Sequence, residues 1–592
     1  MRGDLSVVHR CVAAGVVAAC GSVAAAQDAD FRVLPYLQNP TSEGMSFTWF
    51  TEQNVAADLR ITGGDLSSDL LFTALTGQQM DHLTYTDLEV ADAADAGYDI
   101  FSDNNFKYAT TVSGLSPDTE YTYEVSLAGG ESFSRTFRTA PTRDEWSHVR
   151  FVAYADSETE PRGNTTRRGW SSGVQAPGSV GRPAGAGDYP LTETEGYRRN
   201  LEIIDQRDPD FVVQAGDLIQ GAGYQPGWDE YWRHNAGEYD DVLTKRPLLP
   251  AMGNWIWSNR LDPGIESITY GRNKFKDYFD TPENNNPKFQ DQYYRTDYGP
   301  VTVLTLDSTN GFPDDTPENY DQPVDDPYQI GTDTMPLIAE SFYPGDDLAD
   351  FNPGSDQYQW VQEQLQDARD HGQVVFVQFH HAPYSSGVHG FPMAHPDTTG
   401  QGGNPLRVYH EMFEEMGVAA VLSGHSEMFE RSFVDEDGNG IGVHYYDVGV
   451  AGDGMRGRSF DSIAGELGGQ NHFSQWTADG DSDELWVENE DGTFTLLDGG
   501  KHYGHLEVNI EKLLDPEGDA YAKAILTPVY SFPLFNVLED GAIEVLGSER
   551  RVYGDEITLL LDAQGNVIPE PAAAVAFLLA GTPLLLRRRG GR

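Results

Sequence analysis

The chain is poor in cysteine: Cys11 and Cys20 are the only two among its 592 residues. If the leading segment is removed on maturation, the remaining chain has neither a thiol nor a disulfide. Any metal site in it must then use histidine, aspartate, glutamate, asparagine or backbone oxygen, which excludes thiolate zinc sites.

Basic residues are also scarce, with 39 lysines and arginines against 94 aspartates and glutamates and a formal net charge of -55. Such a surface repels nucleic acid and anionic membranes, so no nucleic-acid-binding domain is expected. The charge favours solubility or adaptation to salt, and it is compatible with affinity for divalent cations. An anionic substrate would need local positive charge, for which bound metal is the natural source.

Signatures of several other enzyme classes are missing. The sequence has no Gly-x-Ser-x-Gly elbow, P-loop or dinucleotide fingerprint in a fitting context. With 39% hydrophobic and 11% aromatic residues the chain is globular, and its length predicts two or three domains.

Both ends of the chain are typical of targeting segments. Residues 1–26 carry basic residues, an apolar run and three final alanines, which predicts a secretory signal peptide; lipoprotein processing at Cys20 is the alternative. Residues 568–592 begin with Ile-Pro-Glu-Pro, continue as an apolar stretch that is short for a membrane span, and end in a basic tail. They resemble the PEP-CTERM sorting signal, which implies export from a Gram-negative bacterium and recognition by exosortase-type sorting machinery; an ordinary C-terminal anchor is the alternative. Membrane contact is expected only through the termini.

The first part of the mature chain has a β pattern. Polar and apolar residues alternate in Met45–Phe50, Tyr108–Val112 and Tyr121–Val125, with turn clusters between the runs. Short strands at this spacing favour a sandwich. The stretch Gly114–Tyr123 resembles a fibronectin type III strand and corner.

After a linker at residues 140–143 the pattern changes to apolar strands that each end at polar residues, with helical stretches between them. Such units indicate a layered α/β domain. The predicted strands are 149–155, 211–215, 248–252, 301–306, 374–379 and 418–422, and the predicted helices are 193–205, 357–371 and 409–416. Residues 160–192 and 311–354 are expected to form long loops, and β patterns return over 442–561.

Five of these strands end at residues that can bind metal. A carboxylate at a strand's carboxyl end projects into the crevice where α/β sheets bind ligands. In chain order the strand ends are Asp156-Ser157-Glu158, Gly216-Asp217, Gly253-Asn254, His380-His381 and Gly424-His425-Ser426-Glu427. A lone Gly-Asp is weak support, because the pair also occurs elsewhere in the chain, for example at residues 64, 187, 345, 452, 518 and 554. Those six lack the apolar run, and most of them are predicted to be turns.

The order of these five fragments resembles the calcineurin-like metallophosphoesterase superfamily, and bacterial relatives of purple acid phosphatases in particular. Residues 30–39 (DFRVLPYLQN) resemble the opening of the purple acid phosphatase N-terminal domain. The resemblance implies an α/β metallophosphoesterase domain, two mixed β-sheets flanked by helices, over 145–535. An all-β fibronectin type III-like sandwich would precede it over 27–144. Residues 536–567 would form a C-terminal β segment or linker.

The resemblance also implies two metal ions, divalent or trivalent (Fe, Mn, Zn, Mg or Ca). At the second metal site it places Asp217 as bridging carboxylate, with the ligands Asn254, His380 and His425. His380 is chosen over His381 because the family's aromatic residue and substrate-facing histidine then fall on Tyr384 and His389.

The first site departs from the family pattern. Asp156 and Asp217 match, but Glu158 and Glu427 stand where the family has histidines, and Gln220 stands where purple acid phosphatases have a tyrosine. A site of Asp156, Asp217, Glu158 and Glu427 would be nearly all oxygen, which suits magnesium, calcium, manganese or ferric iron over zinc. The alternative is that Glu158 and Glu427 are solvated and the first site is weak or empty.

Further candidate residues lie outside the metal-ligand set. Trp255 replaces a family histidine and cannot supply an acid proton, so His389 or His381 would take that catalytic role unless the leaving group needs no help. Trp255 would stack on a substrate or pack at the rim. Arg431 matches the arginine after the last motif, and it would orient the motif loop or bind substrate.

The implied function is an exported metallophosphoesterase, acid phosphatase-like or a phosphodiesterase. It would cleave phosphate mono- or diesters, in small molecules or an extracellular phosphorylated polymer, by attack of a metal-bound hydroxide. Its place would be the cell surface, periplasm or extracellular matrix. The alternative is a catalytically weak or inactive phosphatase-fold binding or matrix protein at the cell surface.

One further motif lies outside this set. Residues 435–440 (DEDGNG) match the first half of a calcium loop, but its twelfth position is Tyr446 rather than glutamate. A hairpin turn is therefore favoured here.

Overall fold

The computed structural model describes residues 29–161, 166–170, 182–183, 187–257, 268–309, 349–351, 353–390, 402–436, 438–459, 471–514, 519–538 and 540–568. The predicted signal peptide and, apart from Ile568, the predicted sorting signal lie outside these residues. Within these ranges no helix is both long and apolar enough to cross a bilayer.

The described ranges contain α-helices, short 3-10 helices and β-strands. The α-helices are α1 Asp87–Ala96, α2 Glu193–Arg207, α3 Gln225–Asn235, α4 Ile268–Tyr278, α5 Asp356–Asp370, α6 His410–Met416 and α7 Ala478–Asp481, and the 3-10 helices are Val242–Thr244, Asn254–Trp257 and Asn404–Tyr409. The strands up to the domain junction are β1 Phe31–Thr41, β2 Gly44–Thr51, β3 Ala57–Gly63, β4 Leu70–Leu75, β5 Gln78–Gln79, β6 Phe106–Ser113, β7 Glu120–Leu127 and β8 Ser132–Arg138. Those after it are β9 His148–Tyr154, β10 Phe211–Gln214, β11 Leu248–Pro250, β12 Tyr294–Tyr298, β13 Val301–Thr305, β14 Val374–His381, β15 Ala420–Gly424, β16 Phe429–Val434, β17 Val443–Val448, β18 Ser474–Thr477, β19 Leu485–Glu488, β20 Phe494–Asp498, β21 Gly504–Lys512, β22 Ala522–Val537, β23 Ile543–Val552, β24 Ile557–Leu561 and β25 Val567–Ile568.

The first eight strands form two antiparallel four-stranded sheets, ordered β1-β2-β6-β5 and β4-β3-β7-β8. Alternate residues of β7 are buried, as expected for a strand in a sheet that packs one face on the core and turns the other to solvent. Phe47 and Trp49 of one sheet share a core with Leu59 and Tyr123 of the other. The predicted all-β sandwich is therefore confirmed, while its fibronectin type III-like character stays a prediction.

The described part of the chain beyond the sandwich is built on two mixed sheets. A ten-stranded sheet contains the path β11-β10-β9-β21-β22-β20-β19, with β23 and β24 paired to β22 and β25 paired to β24, and a seven-stranded sheet has the order β12-β13-β14-β15-β17-β16-β18. Their apolar faces share one core, in which Phe151 of β9 meets Phe376 of β14 edge to face at 5.0 Å. Strands β9, β10 and β11 run parallel, as do β13, β14, β15 and β17, so two sets of carboxyl ends reach one edge of the fold.

The helices begin and end where their flanking residues predict. Thr192 accepts a hydrogen bond from the Glu195 backbone and so caps α2, and Ser355 does the same for α5 through Tyr358. Helix α2 ends at Arg207, and the following residue, Asp208, has a left-handed φ of 52°. The segment 536–567, predicted as a β segment or linker, contributes β23, β24 and the first of the two residues of β25 to the ten-stranded sheet.

The sandwich is fixed to the second domain by buried polar contacts. The Arg32 guanidinium of β1 lies 3.1 Å from Asp229 on α3, and both side chains are almost completely buried. Tyr123 of β7 donates a hydrogen bond to the carbonyl of Thr244 at 2.8 Å, and Tyr36 donates one to the carbonyl of Tyr278. Side chains of β1 and β2 also share a hydrophobic core with α2, α3 and α4.

Candidate metal centre

The functional side chains stand at the carboxyl ends of five parallel strands, three from the ten-stranded sheet and two from the seven-stranded sheet. Four of these non-glycine residues have left-handed backbone conformations, with φ values of 52° at Asp156, 43° at Asp217, 76° at His425 and 49° at Glu427. Such conformations are disfavoured for residues with a Cβ and concentrate at functional sites. The backbone is therefore strained where β9, β10 and β15 lead into their motif loops.

The histidine side of the site consists of Asp217, Asn254, His380 and His425. Asp217 Oδ2 lies 2.8 Å from His380 Nε2. Asn254 Oδ1 lies 2.7 Å from His380 Nε2 and 2.8 Å from His425 Nδ1. Ligand atoms of Asp217, His380 and His425 all lie within 4.8 Å of one another, and the three residues are buried.

A cation fits this arrangement because of the tautomer of His380. Its Nδ1 lies 3.0 Å from the Ala215 carbonyl oxygen, which only accepts, so Nδ1 carries the ring hydrogen. In the neutral ring Nε2 then offers a lone pair, and that lone pair faces two oxygens that also offer lone pairs. Metal-binding histidines are commonly held in this way by a backbone carbonyl on the other nitrogen.

The carboxylate side of the site is formed by Asp156, Glu158 and Asp217, which offer oxygens within 4.8 Å of one another. Asp156 Oδ2 accepts a hydrogen bond from the His425 backbone at 2.8 Å, whereas Asp156 Oδ1 and Glu158 Oε2 are buried without a hydrogen-bond partner. Burial, followed by the charge of Asp217, raises the pKa of Asp156 and the pKa of Glu158 well above their ordinary values. Buried carboxylates crowded in this way call for a cation.

Three glycines leave room for these carboxylates. A Cβ on Gly253 would lie 1.9 Å from Asp217 Oδ1, and Cβ atoms on Gly424 and Gly449 would lie 2.6 and 2.0 Å from Asp156 Oδ2. Backbone must therefore pass directly against the two aspartates, as only glycine permits. The glycines of the Gly-Asn and Gly-His motifs are thus required by packing against the two aspartates.

Glu427 occupies a different environment from the other predicted ligands. Its Oε2 lies 2.7 Å from Arg456 Nε, and among the described residues it belongs to none of the groups whose ligand atoms converge within 4.8 Å. Burial, followed by the charge of Asp453, raises the pKa of Glu427 to about 8. Arg168, which forms ion pairs with Glu193 and Asp453, opposes that rise together with Arg456.

The two candidate catalytic histidines lie against His425. The His389 ring stacks on it with centroids 3.9 Å apart, and the His381 ring lies 4.4 Å away. Ser308 Oγ lies 2.8 Å from His381 Nδ1 and fixes that ring. Burial, then the charge of Arg456, lowers the pKa of His389 to about 3, and burial lowers the pKa of His381 well below its ordinary value.

Trp255 and Arg431, the candidate substrate residues, are placed differently. The Trp255 backbone N–H donates a hydrogen bond to Asp217 Oδ1 at 3.1 Å. The half-buried Trp255 therefore lies next to the metal ligands. Arg431 lies on β16, where its guanidinium binds both oxygens of Asp555 at 2.6 and 2.7 Å. In this arrangement Arg431 joins β16 to the loop before β24.

Several charged residues around the site were not predicted from the sequence. Gly452-Asp453 was grouped with pairs that are mostly turns, yet Asp453 is buried beside Glu427 and Arg168. Asp447, at the end of β17, is buried near Asp156, and its Oδ2 has no hydrogen-bond partner. The signal that was available for Asp447 is the apolar strand before it; Arg168 and Arg456 lie in loops and carry no such signal.

The two mixed sheets and their strand-end ligands define the metallophosphoesterase α/β fold, and comparison with known proteins supports that class. Residues 193–427 match the Calcineurin-like phosphoesterase family (Metallophos). The matched range is less than half of the chain.

Among solved structures, purple acid phosphatase PPD1 from yellow lupin (Lupinus luteus) seeds is similar at 16% identity and a TM-score of 0.52, covering 89% of this chain and 74% of that one. PhoD is similar at 10% identity and a TM-score of 0.51, covering 91% of this chain and 92% of that one. At these identities the likeness concerns the fold. A comparison with curated proteins finds no match.

Proposed function

We propose that this protein is an exported metal-dependent phosphohydrolase that cleaves phosphate mono- or diesters. The observation that carries the proposal is the sharing of Asp217 between two groups of buried ligand atoms, one rich in histidine and one made of carboxylates. A carboxylate placed in this way can bridge two metal ions. Asn254, His380 and His425 would hold one ion, and Asp156 and Glu158 the other.

Two metal ions bound there would neutralise phosphate charge and lower the pKa of a bound water. The protein's own contribution is to fix the ligands and to position the substrate. Because burial keeps His389 and His381 neutral at neutral pH, these residues would hydrogen-bond and orient the phosphoryl or leaving group rather than store a proton. Arg456, whose side chain is 41% exposed, adds positive charge on the carboxylate side.

Export forms part of the proposal and is supported by the two predicted targeting segments. The basic start with its alanine-rich end, and the Pro-Glu-Pro tail with its arginines, favour processing at both termini and recognition by exosortase-type sorting machinery. The formal net charge of -55 suits a protein that acts outside the cytoplasm. A phosphorylated small molecule or polymer would bind to it through contacts between its phosphate group and the bound metal ions.

A second candidate function is phosphate-independent binding at the cell surface on a weak or inactive phosphatase scaffold. The ion pair between Glu427 and Arg456 favours this second function. Glu427 stands where the family pattern places a metal ligand, and here its carboxylate binds an arginine instead. If Glu427 stays paired, the carboxylate side has one ligand fewer.

Hydrolysis of chromogenic mono- and diesters by protein loaded with manganese, iron, zinc or calcium tests the proposal. The substitution Asp217→Asn is expected to abolish turnover, a loss of about 10³-fold or more if several kcal/mol of charge stabilisation disappear. It should also remove at least one metal equivalent. Asp65→Asn, in another Gly-Asp pair on the sandwich, is the matched control and should leave both unchanged. Turnover of neither ester type with any of these metals would favour the binding protein instead.

A further inference from the structure

A third group of metal-ligand side chains lies away from the strand ends, between α6 and the turn that joins β16 to β17. His410 begins α6, Glu414 follows one turn later on the same helix face, and Glu436 stands in the hairpin turn. Ligand atoms of the three residues all lie within 4.8 Å of one another. The turn is the one whose sequence matches half of a calcium loop, and it is indeed a hairpin turn.

His410 supplies a nitrogen that the protein leaves without a partner. The residue is only 3% exposed, and its Nε2 is buried without a hydrogen bond. Glu414 Oε2 is 3.6 Å away, which is too far for an N–H···O bond. Two ligands of one tetrahedral zinc ion, each about 2.0–2.1 Å from the metal, lie about 3.4 Å apart. The spacing therefore fits a shared ion better than it fits a direct contact.

Two of these three ligands are oriented by a second contact. The Tyr445 hydroxyl lies 2.9 Å from His410 Nδ1 and fixes the ring. The Glu436 backbone donates to Glu414 Oε1 at 3.0 Å, which leaves Oε2 facing His410. Metal sites commonly have such outer contacts.

The charge at this position also favours a cation. The two carboxylates outweigh the nearby Arg407, whose guanidinium is buried over the Tyr384 ring and donates to the carbonyl of Pro383.

We propose that His410, Glu414 and Glu436 form a structural site for a divalent transition-metal ion of the zinc type. One imidazole and two carboxylates suit such an ion, whereas calcium and magnesium prefer oxygen ligands alone. The ion would tie α6 to the β16–β17 hairpin. Because these elements precede and follow β15, the site would stiffen the frame that carries His425 without touching a substrate.

Zinc bound by the full-length protein tests this site. After removal of metals with EDTA, wild type and the variants Glu436→Gln, His410→Gln and Glu411→Gln are dialysed against Zn²⁺, and bound zinc is counted by mass spectrometry. Glu411 is an exposed residue of the same helix and serves as the charge-matched control. The first two variants are expected to bind one zinc fewer than the control and to show a smaller zinc-induced rise in Tm. Their ester hydrolysis, measured in parallel, should stay within about twofold of the control.

Because Glu436 is exposed, its variant should fold even if His410→Gln does not. An unchanged zinc count in Glu436→Gln would overturn the proposal. Loss of one zinc together with loss of hydrolysis would also overturn it, because the ion would then belong to the strand-end site. The zinc count tests the site even if no ester is hydrolysed, so its failure is distinguishable from failure of the proposed phosphohydrolase.

Discussion

Glu158→Gln is expected to stabilise the metal-free protein and to destabilise the metal-loaded protein. Glu158 is buried, its Oε2 has no hydrogen-bond partner, and oxygens of Asp156 and Asp217 lie within 4.8 Å. Without a cation this carboxylate lowers the stability of the folded protein, whereas with a cation it is a metal ligand and raises that stability. Glutamine keeps the shape and removes the charge, so the order of stability of the two proteins should reverse when metal is added.

The size of the effect follows from these distances. At 4.8 Å and an effective dielectric constant of about 20, each like-charged pair would cost about 3.5 kcal/mol. Protonation of Glu158 limits the total, because taking up a proton at pH 7.5 costs only about 4 kcal/mol for a carboxyl with an ordinary pKa. A gain of about 1–4 kcal/mol is therefore expected. For a cooperative unit of about 500 residues this corresponds to about 1–4 °C in Tm.

The measurement is thermal unfolding in EDTA and in manganese, with the exposed Glu43→Gln as control. The pKa of Glu158 is raised by folding, so the folded apo protein binds more protons than the unfolded chain above pH 4.5. In EDTA the wild-type Tm should therefore fall as pH rises from 5 to 8, and that of the variant should fall less. A variant that melts at or below wild type in EDTA would refute the buried-charge argument, and one that keeps every metal equivalent would refute Glu158 as a ligand.

Three further substitutions test neighbouring assignments. Arg431→Met should lower the free energy of unfolding by about 1–3 kcal/mol through loss of the pair with Asp555, while KM stays unchanged; a raised KM would return Arg431 to the substrate site. Trp255→His should speed hydrolysis of alkyl phosphates at least tenfold more than that of nitrophenyl phosphate, as a new general acid would; equal effects on both would exclude that role. Asp229→Asn, which removes the charged partner of the buried Arg32, should cost about 3–5 kcal/mol in chemical denaturation, and a smaller cost would mean that entering water or the other hydrogen bonds of Arg32 compensate for the lost charge.

The sequence was most informative where signals are local. The apolar runs in the sequence predicted both ends of β9, β10, β14 and β15 to within two residues. They did so because buried parallel strands need continuous hydrophobic stretches. The order of their strand ends predicted that Asp217 meets His380 and His425 on one side and Asp156 and Glu158 on the other, but it wrongly added Glu427 to the second group. Helix α3 was not predicted because Pro226 and Gly227 near its start are typical of loops, although Trp228, Tyr231 and Trp232 have the i, i+3, i+4 spacing of an apolar helix face.

The carboxylate side could not be predicted in full because its partners are distant in the chain. The sequence places Glu427 in a ligand position but says nothing of Arg456, which reaches it from a loop beyond β17. The sequence around Asp453 resembles a turn, whereas in the folded protein Asp453 forms an ion pair with Arg168. Charge partners of this kind depend on tertiary packing, for which a short sequence motif holds no record.

The shared core between the sandwich and helices α2, α3 and α4 has a consequence for handling the protein. The junction between the two domains is exposed at Arg143, where a protease such as trypsin can cut. Tyr36, Trp232 and Tyr278 would still hold the two fragments together across the cut. A nicked preparation would run as two bands in a denaturing gel and as one particle in gel filtration. An N-terminal truncation, by contrast, would expose aromatic surface and should be insoluble.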